Sequence, residues 1–111
     1  MKPFTENVIR VLRSIPRGKV MSYGAVARAA GSPRGARQVV RILHSMSEKY
    51  ELPWHRVVNK DGRISLTDEA AFSQKELLAS EGVFLSRDGT INMKRYGYQL
   101  DTEFFPFPDE E

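Results

Sequence analysis

Cysteine is absent from the 111-residue chain. Disulfide bonds, thiolate metal sites and a catalytic thiol are therefore excluded. The two histidines, His44 and His55, are too few for a typical zinc site without cysteine. We expect neither a metal ion nor a cofactor.

Long apolar runs are also missing. No stretch approaches the roughly eighteen apolar residues of a transmembrane helix, and the N-terminal residues lack the apolar segment of a signal peptide. We therefore expect a cytoplasmic protein with no membrane partner. The length predicts one domain, which we place at residues 1–100, followed by an acidic and aromatic tail at residues 101–111.

Acidic residues are scarce in the first half of the chain. Residues 1–47 contain nine Lys or Arg and one acid, Glu6, for a net charge of +8, whereas residues 101–111 contain five acids and no base. This asymmetry is typical of proteins that bind a polyanion such as nucleic acid. A solvated basic surface would have the same composition, and charge alone does not decide between the two.

Apolar spacing, capping residues and helix breakers predict three helices in the N-terminal half. The short link between the second and third contains Gly31, which favours a helix-turn-helix. The predicted helices are 5–14 with Thr5 as N-cap, 23–30 with Ser22 as N-cap, and about 32–45 with Ser32 and Pro33 at its start.

The predicted third helix has a cationic face. Arg34, Arg37, Arg41 and His44 fall within about 80° of its circumference, and apolar residues occupy the opposite side. An exposed face that carries only basic groups favours contact with nucleic acid, since a solvated face usually mixes charges.

Turn-forming residues predict two β-hairpins in the C-terminal half. The first is centred on the turn 59–62 and the second on the turn 86–89, with a helix between them from Thr67 or Asp68 to Ser80. The predicted fold class is mainly α with small β-hairpins, a winged helix-turn-helix DNA-binding domain.

The only tryptophan, Trp54, follows a proline in the segment PWHRVV (53–58). Taken alone, such a residue more often anchors the core than binds a ligand. The segment, however, resembles the Pro-Cys-His-Arg-Val-Val motif of the O6-alkylguanine-DNA alkyltransferases, whose cysteine takes the alkyl group. Segments VMSYG (20–24), GSPRGAR (31–37) and LLASEG (77–82) match the same family's DNA-binding domain in order.

With tryptophan in place of the cysteine, the chain is similar to the alkyltransferase-like proteins. The resemblance implies a protein that binds double-stranded DNA through the minor groove, flips O6-alkylguanine out of the stack and does not transfer the alkyl group. We expect this protein to be a monomer. It further implies handover of the lesion to nucleotide excision repair proteins.

The resemblance also implies which residues contact DNA. Tyr23 matches the tyrosine that crowds the 3′ phosphate and helps to rotate the nucleotide. Arg37 matches the arginine that fills the vacated space, a role that suits a planar guanidinium. We add Arg34, Arg41 and Ser22 to the predicted DNA-binding residues.

The implied pocket for the flipped base is formed by Tyr23, Leu43, Trp54 and Val57, with the carbonyls of Trp54 and Val57 towards the guanine amino group. His55 and Glu81 match the pair that activates the thiol in the transferases. Because the thiol is missing, we expect this pair to form a structural hydrogen bond.

Two features depart from the family pattern. Met46 stands where the family commonly has asparagine, and the loop 62–68 lacks the usual aromatic and Gly/Ser content. The backbone N–H that meets the guanine O6 is therefore not assigned, and the pocket is expected to be roomier than in the enzymes.

Two other functions remain open. An enzyme with residual alkyl-acceptor or hydrolase activity would depend on His55 and Glu81, but it would lack the thiol nucleophile. A sequence-specific helix-turn-helix regulator is disfavoured because Gly35, Ala36 and arginines, rather than Asn or Gln, occupy the start of the third helix.

Overall fold

Helices make up most of the regular structure in the computed structural model, which describes residues 1–100. The predicted tail, residues 101–111, lies outside the described residues. Within the described range, no helix is long and apolar enough to span a bilayer. In chain order the elements are α1 (Pro3–Ser14), β1 (Met21–Ser22), α2 (Tyr23–Ala29), α3 (Ala36–Tyr50), a 3-10 helix (Trp54–Arg56), β2 (Val57–Val58), α4 (Asp68–Ser80) and α5 (Met93–Tyr96).

α1 begins at Pro3, and its N-cap is Lys2 rather than Thr5. Proline suits the first helical position because its missing N–H would have no partner there and its φ is already helical. The prediction of Thr5 as N-cap is therefore wrong. The inner face of α1 completely buries Val8 and Leu12.

α2 and α3 form the predicted helix-turn-helix. Ser22 caps α2 as predicted, since its Oγ accepts a hydrogen bond from the Ala25 N–H at 3.1 Å. The mainly helical fold class is thus confirmed, and α4, which begins after Thr67, also lies where the sequence predicted it.

α3 starts and ends later than predicted, at Ala36 and Tyr50. Its predicted first turn is a separate turn, in which the Gly35 N–H donates to the Ser32 carbonyl at 3.0 Å. Glycine suits this position because a Cβ at position 35 would lie 2.7 Å from the ring of Phe4 in α1, so that a larger residue would force the ring to shift. The polar residues after position 46 continue the helix because polar side chains are compatible with its solvent-facing side.

The prediction of two β-hairpins is wrong, because neither turn is flanked by two segments that pair with each other as strands. The turns exist: the Asn59 N–H donates to the Arg63 carbonyl at 3.0 Å, and the Ser86 N–H donates to the Thr90 carbonyl at 2.8 Å. An antiparallel bridge then joins Arg63 to Thr90, so the two turns pair with each other. The chain enters α5 where the second hairpin was expected to continue.

β2 pairs in parallel with β1, Met21 opposite Val57, instead of with the residues that follow it. Its side chains alternate: Val57 belongs to a cluster with α1, α2 and α3, and Val58 to a smaller cluster with α4 and residues 83–91. β2 therefore lies between the two parts of the core. The 3-10 helix immediately before it packs against α4.

Candidate nucleic-acid interface

The exposed arginines of the helix-turn-helix form its cationic face. Arg37 and Arg41 project from α3, and Arg34 lies in the turn before the helix rather than on it. None of these three side chains forms a hydrogen bond or ion pair with another of residues 1–100. Their charges are therefore available to phosphates or bases.

Other basic residues of the first half are used inside the fold. Arg13 donates from Nη2 to the Tyr50 carbonyl at 3.0 Å, and Arg17 from Nη2 to the Ser80 carbonyl at 2.7 Å. Ser22, predicted to contact DNA, is buried, and its Oγ is occupied by the cap of α2. The net charge of +8 over residues 1–47 thus includes basic groups that are used inside the fold as well as exposed arginines.

A cavity of about 790 Å³ opens beside α3. The structure brings Tyr23, Leu43 and Trp54 together in its wall, as predicted, and adds Leu66 from the 62–68 loop. The Tyr23 hydroxyl forms a hydrogen bond with Ser65 Oγ at 3.0 Å, which ties the start of α2 to that loop. Sequence reasoning missed this contact, because nothing local pairs residues 42 positions apart.

Trp54 is part of the cavity wall and not a core anchor. It lies at the start of the 3-10 helix, is only partly buried and belongs to neither cluster of the described core. Its ring meets His55 edge to face, with centroids 6.1 Å apart. The alternative interpretation of Trp54 as a core residue is therefore wrong.

Val57 does not line the cavity; it is 1% exposed within the core. Its carbonyl accepts a hydrogen bond from Gln74 Nε2 at 3.0 Å, and the Trp54 carbonyl accepts the Val57 N–H. A carbonyl oxygen has two lone pairs, so each retains one acceptor position. The role of these carbonyls towards guanine stays a prediction.

Gln74 of α4 positions the segment that carries Trp54. It is 1% exposed, and its Nε2 donates to the His55 and Val57 carbonyls, both at 3.0 Å. Its Oε1 has no hydrogen-bond partner among the described residues. Gln74 could be identified only from the structure, because the sequence does not show that this polar residue of α4 is buried.

Glu81 connects three parts of the chain. His55 Nε2 lies 2.7 Å from its Oε2, Arg56 donates from Nη2 to Oε2 at 2.8 Å and from Nε to Oε1 at 3.0 Å, and the Gly18 N–H donates to Oε1 at 2.9 Å. The predicted His55–Glu81 hydrogen bond is present, but sequence reasoning missed Arg56 and Gly18. The signal for Arg56 was its place beside His55 in the PWHRVV segment.

The Glu81 carboxylate is held in its charged form. Burial raises its pKa, but the hydrogen bonds from Arg56, Gly18 and His55 outweigh that effect and lower the pKa to about 2. The resulting network fixes the turn that bears Trp54 and holds the imidazole against a carboxylate. No three His, Asp or Glu side chains within residues 1–100 come together to hold a metal ion.

Met46, the departure from asparagine, is partly buried and packs on the larger core cluster. A thioether fills irregular apolar space well. Met46 therefore contributes to the packing of the larger core cluster.

Comparison with known proteins agrees with this arrangement. The chain matches the family model described as 6-O-methylguanine DNA methyltransferase, DNA binding domain, over residues 3–83. It is 47% identical over 93 residues to the DNA base-flipping protein of Escherichia coli (strain K12), covering 84% of this chain and 72% of that protein. It is 41% identical over 85 residues to Alkyltransferase-like protein 1 of Schizosaccharomyces pombe, covering 75% and 79%.

A similar fold occurs in the crystal structure of S. pombe Atl1 in complex with damaged DNA containing O6-carboxymethylguanine. The TM-score is 0.76 at 36% identity, and the match covers 90% of this chain and 98% of that chain. The helix-turn-helix architecture is thus shared with a protein that binds damaged DNA.

Proposed function

The chain belongs to the family of the 6-O-methylguanine DNA methyltransferase DNA-binding domain, and within it to the alkyltransferase-like proteins, and we propose that it recognises O6-alkylguanine in double-stranded DNA without transferring the alkyl group. One observation carries the proposal. Trp54, at the position of the transferases' cysteine, lines a cavity beside the cationic face of α3.

Binding begins with electrostatic attraction. The unpaired guanidinium groups of Arg34, Arg37 and Arg41 neutralise phosphates as the helix-turn-helix enters the minor groove. These guanidinium groups form no ion pair within residues 1–100. Contact with DNA therefore breaks no ion pair of the fold.

Flipping then moves the damaged nucleotide into the cavity. Arg37 fills the vacated space in the stack, and Tyr23, held by its hydrogen bond to Ser65, crowds the phosphate. Unstacking costs a few kcal/mol, and less for a base whose pairing is already damaged. That difference favours the lesion over ordinary guanine.

Retention in the cavity is non-covalent. The indole of Trp54 offers an apolar surface on which the base or its alkyl group packs, in place of a thiol that would remove the alkyl group. His55 remains bonded to Glu81 and has no nucleophile to activate. The protein therefore acts as a sensor and not as an enzyme.

Repair then requires other proteins, because a bound lesion is otherwise released unchanged. A flipped nucleotide held by a monomer marks the site for nucleotide excision repair proteins. This handover is the part of the proposal that depends on family membership alone.

Two measurements on one sample test the function. Duplexes with and without a single O6-methylguanine are titrated with the protein, and the protein is then weighed by mass spectrometry. We expect tighter binding to the lesion and an unchanged mass. Equal affinities would contradict lesion recognition, and a gain of one methyl group would establish an enzyme.

A further inference from the structure

The cavity changes chemical character along α3. Residues spaced three or four apart on this helix share a face, and one such face lines the cavity over most of the helix. It begins with apolar side chains and ends with two carboxylates. In order its members are Val40, Leu43, His44, Ser47 and Glu48 of α3, followed by Glu51, which caps the C-terminus of the helix.

The two carboxylates are not neutralised. Glu48 and Glu51 are exposed, and neither side chain forms a hydrogen bond or ion pair with another of residues 1–100. Negative charge beside a polyanion is unfavourable unless it faces a part of the ligand other than phosphate. In this cavity, the part available is the flipped base with its substituent.

The cavity has room for a substituent beyond the base. Its volume of about 790 Å³ lies in the upper part of the roughly 300–1,000 Å³ range of sites that enclose drug-sized ligands. A purine ring is smaller than such ligands. Glu51 caps the C-terminus of α3 three residues before Trp54 in the chain, and both residues line the cavity.

We propose that Glu48 and Glu51 select O6 substituents by charge, so that neutral or cationic groups bind more tightly than groups with a carboxylate. This inference rests on the proposed function and names the lesion class that the cavity accepts. Two carboxylates near an anionic substituent in a partly solvated cavity weaken binding by about three- to tenfold.

The test uses two lesions of nearly equal shape. Duplexes carry one O6-carboxymethylguanine, the lesion in the S. pombe complex, or one O6-carbamoylmethylguanine, its neutral amide counterpart. Dissociation constants are measured at one salt concentration for the wild type and for Glu48→Gln/Glu51→Gln. The control, Glu6→Gln/Glu76→Gln, removes the same charge from exposed positions on α1 and α4 that do not line the cavity.

We expect the wild type to prefer the amide about three- to tenfold, the cavity double variant to lose that preference and the control to keep it. A wild type that binds both lesions equally but more tightly than plain DNA overturns this inference alone. If Glu48→Gln/Glu51→Gln keeps the preference for the amide lesion, this inference alone is likewise overturned. A wild type that binds neither lesion more tightly than plain DNA overturns the proposed function as well.

Discussion

Trp54→Ala removes the indole from the cavity wall and leaves the described core intact, because Trp54 belongs to neither core cluster. Stacking of an aromatic side chain on a base contributes about 1–3 kcal/mol. The preference for O6-methylguanine over guanine should therefore fall by roughly five- to 150-fold. Affinity for undamaged DNA should change little, because the arginines of α3 are untouched.

The assay is a fluorescence-anisotropy titration of labelled duplexes with and without the lesion, paired with thermal unfolding of each variant. Phe84→Ala is the control, since Phe84 is an aromatic residue, 60% exposed, that does not line the cavity. It should keep the wild-type preference. If Trp54→Ala discriminates as well as the wild type, the indole only fills space and the selectivity of the cavity has another source.

Three further predictions concern charge. Affinity for duplex DNA should fall with salt at a log–log slope of several units, at about −0.9 per neutralised phosphate, and a slope near zero would contradict electrostatic binding. Arg37→Ala should weaken lesion binding by about 1–3 kcal/mol and dim a fluorescent base analogue at the lesion. The control Arg87→Ala removes the same charge from an exposed position. It should neither weaken lesion binding nor dim the base analogue if flipping depends on Arg37. Because the pKa of Glu81 is lowered from 4.5 to about 2 on folding, its stabilisation is fully present above about pH 4.5 and is lost as the pH falls towards 2. Acid unfolding should become less steep over that range in Glu81→Gln, and an unchanged profile would refute the role of the network.

The sequence predicted those parts of the fold that depend on neighbouring residues. Ser22 could be identified as a cap because the acceptor and the N–H that it serves are three residues apart. The turns at 59–62 and 86–89 were likewise visible in their Asn, Asp and Gly content. Their strand partners were not, since pairing between Arg63 and Thr90 or between Met21 and Val57 involves residues far apart in the chain.

The candidate site divides in the same way. The resemblance of the PWHRVV segment to the transferase motif identified Trp54 and His55, and the basic spacing on the third helix together with the same resemblance identified Arg37. Which arginine side chains remain free was decided by folding: the Arg17 side chain reaches the Ser80 carbonyl, whereas the Arg37 side chain has no partner among residues 1–100.

Residue identity alone determined that no thiol is available, that positive charge dominates residues 1–47 and that an indole replaces the transferases' cysteine. Only the tertiary structure decided that this indole faces a cavity and that Val57 does not. It also brought Glu81 to His55, Arg56 and Gly18. The physical reason is that cavities and buried charge networks form where separate helices pack, and local sequence preferences do not encode how those helices meet.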